Sequence, residues 1–247
     1  MARFTGTRNS DSYVLKTGRR ELVWMDGGDD SVHFSANALG TEDRIRGGTG
    51  VDRAYFENGG TYTIGDGQLR EFEFLVFRGK GAFDVTLDNS VAAPGSTLSV
   101  FVSTSILEEE HPSSLILDAS AERNASLIVR GSVGNDRIVA GGGDDRLYGE
   151  TGDDVLGGGK GSDSFYFIGH SQKGDIWGDD VITDFTRDRD QLVFQSYAAD
   201  AFEDLSITDT DSGVLIRTAG SESSVLLAGV HSADLHPADF TFLGVHG

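Results

Sequence analysis

The chain of 247 residues has no cysteine, three prolines, two methionines and two tryptophans. Without cysteine there are no disulfide staples, thiolate metal sites or cysteine nucleophiles. So little proline excludes collagen-like and Pro-rich linker architectures. Positive charge is scarce: 20 basic residues face 40 acidic ones, for a formal net charge of −20. Such a chain repels nucleic acid and anionic membrane surfaces. Long apolar runs are missing as well. No stretch approaches the ~20 apolar residues of a membrane span. Residues 1–14, MARFTGTRNSDSYV, have no apolar h-region, which predicts no N-terminal signal peptide. No segment carries a helical period, since the apolar residues come in short runs.

Enzyme signatures are thin. The zinc-protease pattern His-Glu-x-x-His does not occur. The run Gly169-His-Ser171-Gln-Lys173-Gly174 approaches a nucleophile elbow, but Lys173 stands where that motif needs glycine, so Ser171 reads as a loop residue. Between 55 and 130, Tyr55, Tyr62, Lys80, His111 and Arg123 are conceivable acid, base or neutralising groups, and they form no recognisable constellation.

Glycine is abundant instead, 34 residues or about twice the usual ~7 %. It is placed with a period. Residues 131–166 divide into GSVGNDRIV, AGGGDDRLY, GETGDDVLG and GGKGSDSFY. Glycine holds the fourth place of each unit (Gly134, Gly143, Gly152, Gly161). Aspartate holds the sixth (Asp136, Asp145, Asp154, Asp163), and a large apolar residue the eighth (Ile138, Leu147, Leu156, Phe165). A fixed period means one structural unit stacked on the next. Glycine supplies the tight backbone of a turn, and aspartate a hard oxygen suited to Ca²⁺. A flexible linker would not keep an apolar residue in phase.

This pattern resembles the repeats-in-toxin (RTX) nonapeptide, Gly-Gly-x-Gly-x-Asp-x-U-x with U apolar. The resemblance implies a β-roll in which each nonapeptide makes a turn and a strand and two units complete a coil. Equivalent turns then lie 18 residues apart, with Asp136 and Asp154 on one flank and Asp145 and Asp163 on the other. Worn copies precede them: Asn9-Asp11-Tyr13, Gly28-Asp30-Val32, Gly40-Asp43-Ile45 and Gly50-Asp52-Ala54. Residues 55–130 alternate short β-like runs with Gly, Asp, Asn and Pro turns, which fits wider coils of a parallel β-helix. Asp118 and Asn124 are expected to form a stacked polar turn, and Glu108–Glu110 a solvated loop. Residues 167–247 resemble the region that follows RTX arrays, through Asp180, Ile182, Asp184, Phe185, Asp190, Leu192 and Phe194. Its expected role is to cap the open coil, whose unpaired strand edges would otherwise face water.

The sequence therefore predicts an all-β chain: a right-handed parallel β-helix/β-roll solenoid with a β-rich C-terminal cap. Its expected parts are degenerate repeats (1–55), wider coils (56–130), the calcium β-roll (131–166), and the cap with a secretion-signal region (167–247). The cofactor is Ca²⁺. Its expected sites involve Gly134, Asp136, Gly143, Asp145, Gly152, Asp154, Gly161 and Asp163, together with Asp180, Asp184, Asp190, Asp30 and Asp52. By resemblance the protein leaves a bacterial cell through type I secretion machinery and folds outside on Ca²⁺. The reading favours a non-enzymatic adhesin or polysaccharide-binding protein of the cell surface or matrix. A self-assembling structural module and a lyase- or epimerase-like enzyme using the β-helix groove stand as alternatives.

Overall fold

The computed structural model describes residues 1–16, 18–35, 38–89, 91–93, 95–103, 112–123, 125–169, 177–196 and 199–244. Glu108–Glu110, His111, Asn124, Ser171 and Lys173 lie outside the described residues. The strands are β1 (Ala2–Thr5), β2 (Ser12–Val14), β3 (Glu21–Trp24), β4 (Ser31–Ser35), β5 (Arg44–Arg46), β6 (Arg53–Glu57), β7 (Gly60–Ile64) and β8 (Leu69–Arg70). Next come β9 (Phe74–Arg78), β10 (Gly81–Leu87), β11 (Thr97–Val102), β12 (Pro112–Asp118), β13 (Ser126–Arg130), β14 (Arg137–Val139), β15 (Arg146–Tyr148) and β16 (Val155–Gly157). The last are β17 (Ser164–Ile168), β18 (Asp179–Ile182), β19 (Gln191–Gln195), β20 (Leu205–Thr210), β21 (Gly213–Thr218), β22 (Ser224–Ala228) and β23 (Phe240–Phe242). Among the described residues there is no α-helix, only three single 3₁₀ turns, and no helix is long and apolar enough to cross a membrane.

The strands form a parallel solenoid. A ten-stranded sheet runs β2-β4-β6-β9-β11-β13-β15-β17-β19-β23 along its length. The chain crosses from it to a four-stranded sheet, β1-β3-β5-β8, in the first coils. In later coils it crosses to a nine-stranded sheet, β20-β21-β22-β18-β16-β14-β12-β10-β7. The handover falls between β6 and β9, where one coil holds both β7, which opens the second sheet, and β8, which ends the first. Glycine and alternating apolar residues explain the local structure: each short strand presents every second side chain inward.

Register makes columns of these inward residues. In the ten-stranded sheet Val32, Ala54, Leu75, Val100, Val129, Leu147, Phe165 and Leu192 stand opposite one another in succession. Facing them, Val85, Leu117, Ile138, Leu156, Ile182 and Leu227 form the column of the nine-stranded sheet. All four eighth-place residues, Ile138, Leu147, Leu156 and Phe165, are completely buried. Each such side chain contributes roughly 1.5–3 kcal/mol by leaving water. Where the coils widen, aromatic residues fill the space: Phe34, Phe56 and Phe77 stack with 4.8 Å between successive rings. In the repeats, one coil takes 18 residues, as Ile128 faces Arg146 and Arg146 faces Ser164.

The far end is closed by a change of direction. Strands β20 and β21 form an antiparallel hairpin, β21 pairs antiparallel with β22, and β22 continues the parallel sheet on β18. Strand β23 adds to β19. Of the stacked polar turn expected at Asp118 and Asn124, only Asp118 is among the described residues. Asp118 accepts from Ser120 in its own turn, while the Arg123 N–H donates 2.7 Å to Asn89 Oδ1 of the preceding coil.

Candidate metal centre

The sixth place of each repeat lies at the turn just before a strand, where sheet hydrogen bonds have not begun. A buried N–H there needs a partner. The aspartate of the next coil supplies it. The Asp136 N–H donates to Asp154 Oδ1 at 2.8 Å, and the Asp154 N–H to Asp180 Oδ1 at 2.9 Å. On the other flank the Asp145 N–H donates to Asp163 Oδ1 at 2.9 Å, and the Asp163 N–H to Asp190 Oδ1 at 3.0 Å. The first rung on each flank is an apolar residue: Leu115 donates to Asp136 and Leu127 to Asp145.

The worn N-terminal copies obey the same rule. Asp11 donates to Asp30, Asp30 to Asp52, and Asp52 to Glu73 Oε2, at 2.7, 2.9 and 2.7 Å. Register places Asp11, Asp30, Asp52, Glu73, Leu98, Leu127, Asp145, Asp163 and Asp190 in one file along the ten-stranded sheet. Two leucines interrupt an otherwise acidic row. Asp184 is exposed and accepts the N–H groups of Gly158 and Gly159.

A second ladder runs the other way and escaped the sequence reading. Fifth-place side chains accept from the following coil: Asn135 Oδ1 from the Asp153 N–H, Asp144 Oδ1 from Ser162, and Asp153 Oδ1 from Asp179. Asp29 does the same for Val51. The Gly-Asp-Asp triplets at 28–30, 143–145, 152–154 and 178–180 were the available signal.

Each sixth-place carboxylate therefore spends one oxygen on the neighbouring coil. In several, the second oxygen has no partner: Asp30, Asp52, Asp154 and Asp163 each bury an unbonded Oδ2. Glycine brings backbone oxygens close to these turns. Gly161 has φ +124°, and a Cβ there would lie 2.1 Å from the Gly143 carbonyl oxygen; at Gly152, with φ +122°, it would lie 2.6 Å from that of Gly134. Only glycine lets the turns stack this closely. Among the described residues no three acidic or histidine side chains converge. Ca²⁺ takes six to eight oxygens and accepts carbonyls beside carboxylates. The donor set is all oxygen, carries negative charge and has orphaned acceptors, so it fits Ca²⁺. Asp154 and Asp163, with Asp136 and Asp145 beside them, would hold it in the repeats.

Electrostatics point the same way. Burial pushes Asp145 and Asp154 up to about 7, with neighbouring carboxylates adding to the rise. Burial likewise lifts Asp163 and Asp52 to about 6 and Asp180 to about 8, again with help from like charges. Asp30, Asp136 and Asp190 are raised by burial too. Ionising Asp145 inside the fold costs on the order of 4 kcal/mol more than in water. A bound cation would offset that cost.

Residues 130–165 match the family model of the RTX calcium-binding nonapeptide repeat, in four copies. The chain carries RTX calcium-binding repeats. Ca²⁺ is their cofactor. The solved structure of the extracellular lipase LipA from Serratia marcescens is similar over 98 % of this chain, with 16 % identity and a TM-score of 0.37; the chain spans 40 % of that protein's length. No curated protein matches the chain. Of the described groups conceivable for a catalytic groove, Tyr55 and Tyr62 stand on different sheets and face opposite ways. Tyr62 is buried and donates its hydroxyl to the Asn58 carbonyl, whereas Tyr55 lies on the outer side of the ten-stranded sheet beneath Arg78.

Two predictions follow from the RTX ladder. Asp154→Asn keeps an Oδ1 acceptor for the Asp136 N–H and removes the charge. The metal-free variant should be at least as well folded as the natural chain, while its calcium affinity falls about tenfold or more by calorimetric titration; unchanged affinity would remove Asp154 from the site. The second concerns pH. Folded-state values raised above the unfolded value mean that folding takes up protons, so stability falls as pH rises through about 4 to 8. In chelator, β-structure should therefore increase as pH drops from about 8 to 5. In saturating calcium, where protons compete with the ion, the dependence should reverse. The same slope in both conditions would contradict the ladder's electrostatics.

Proposed function

We propose that this chain is a secreted, non-catalytic calcium-folded protein that binds polysaccharide at a bacterial cell surface or in its matrix. The buried, unbonded carboxylate oxygens support the calcium half of this reading. They make the fold dependent on an ion that extracellular modules bind at roughly 10⁻⁴–10⁻³ M. Before export the chain would be held open by its own charge. Type I secretion machinery would pass it unfolded, reading a signal in the last ~60 residues as the resemblance implies, and the fold would form where calcium is plentiful.

The observation that carries the binding half is the outer face of the ten-stranded sheet. There the register row across successive strands reads His33, Tyr55, Val76, Phe101, Arg130, Tyr148 and Tyr166. Tyr148 and Tyr166 stack at 4.3 Å, Arg130 lies 4.2 Å over Tyr148, and His33 stacks on Tyr55 at 4.8 Å. The described strand residues of this face include no aspartate, in a chain rich in it. The two stacked pairs, parted by Val76, Phe101 and Arg130, present flat ring faces at roughly the 4.8 Å strand spacing, and such faces suit the C–H sides of sugar rings.

The test is co-sedimentation with a panel of insoluble polysaccharides, in calcium and in chelator. The expected result is calcium-dependent retention on at least one, weakened by Tyr148→Ala with Tyr166→Ala. No retention on any polymer would refute the binding role, and new reducing ends or unsaturated products would refute the non-catalytic one.

A further inference from the structure

The four-stranded sheet of the first coils turns a different face to solvent. Its outward row reads Thr5, Trp24, Arg46 and Arg70 across β1, β3, β5 and β8. The neighbouring outward row reads Arg3, Leu22 and Arg44. Four arginines thus surround one partly exposed tryptophan. The Arg3 guanidinium sits 4.6 Å from the centre of the Trp24 ring. A shallow cleft of about 590 Å³ opens beside it, lined by Trp24, Arg44, Arg46, Asp66, Arg70 and Glu71.

The charge of this cleft is opposite to that of the molecule. The lining holds three arginines against Asp66 and Glu71, an excess of one positive charge, with Arg3 close by over Trp24, in a chain of net charge −20. Arg46 pairs with Glu71, and Arg70 lies 3.9 Å from Asp66. Their side chains remain 56 % and 60 % exposed. A guanidinium carries five N–H donors, and one carboxylate partner does not use them all. Forked donors match planar carboxylates in two-point contacts. The two acidic residues at the rim supply acceptors for hydroxyl groups.

We propose that this cleft is a subsite for an acidic polysaccharide, with a uronate ring stacked on Trp24 and its carboxylate held by Arg46 and Arg70. The proposal rests on the polysaccharide-binding reading above and deepens it. Trp24 offers the apolar platform, the arginines select for negative charge, and Asp66 and Glu71 direct sugar hydroxyls. The surrounding negative field disfavours polyphosphates, whose charge density is higher, and leaves the sparser charge of a uronate chain to this local positive patch.

The experiment uses the full calcium-loaded chain and a short uronate hexasaccharide, with a neutral glucan hexasaccharide and a single-stranded oligonucleotide as comparisons. Binding is read from tryptophan fluorescence. Trp177 is fully buried and serves as the constant background. Uronate should change the emission, and the neutral sugar and oligonucleotide should not. Trp24→Phe should abolish the change. Arg46→Gln with Arg70→Gln should raise Kd about tenfold or more, as should added salt, whereas Arg217→Gln on the nine-stranded sheet should leave it unaltered. Circular dichroism confirms that each variant is folded. Equal binding of neutral sugar or oligonucleotide, or unaltered binding by the folded double variant, overturns this site. If the natural chain also fails to sediment with any polysaccharide, the broader reading falls with it.

Discussion

The hydrogen bond from one sixth-place aspartate to the carboxylate one coil away is the constraint on which the solenoid depends. It recurs on both flanks of the repeats and, with Glu73 as its last acceptor, through the N-terminal coils. It solves a problem of backbone chemistry, because the turn N–H groups are buried before the strands begin. It also creates a second problem. Each solution places a carboxylate in a dry position beside another carboxylate, and several keep one oxygen unbonded. An isolated buried charge is costly, and the ways out are protonation or a cation. Folding, proton uptake and metal binding are therefore one coupled equilibrium at these turns.

The apolar columns and the acidic ladders divide the work. The columns of Val, Leu, Ile and Phe are continuous from the first coils to the cap and form one apolar interior. The ladders stack the coils at their edges, and there the chain's negative charge is concentrated. Glycine at the turns allows the close approach, as the contacts of Gly152 and Gly161 show. At the far end the antiparallel strands β21 and β20 extend the nine-stranded sheet beyond β22, so that sheet ends on a hairpin strand and not on a coil strand.

Much of this was legible in the sequence because it is periodic. The places of Asp136, Asp145, Asp154 and Asp163 and the inward Ile138, Leu147, Leu156 and Phe165 come from one phase relation, and the 18-residue spacing of equivalent turns follows from the RTX resemblance. Other features are not periodic and were not visible. The coil holding both β7 and β8 depends on which sheet each strand joins, a long-range choice that local pattern does not encode. The Asn89–Arg123 turn joins residues 34 apart. The fifth-place ladder was periodic and still missed, because Asn135, Asp144 and Asp153 sit beside the dominant sixth-place signal. The arginines around Trp24 come from separate coils, and only register brings them into one face.

The central claim is that the buried carboxylates make calcium part of the fold. The most direct measurement is far-ultraviolet circular dichroism of the metal-free chain during a calcium titration, with magnesium in parallel. The account predicts a cooperative gain of β-structure with calcium, because neighbouring coils share carboxylates, and little gain with magnesium, which demands a tighter and more regular oxygen shell. A chain with its full β signal in chelator near neutral pH, unchanged by calcium, would contradict it.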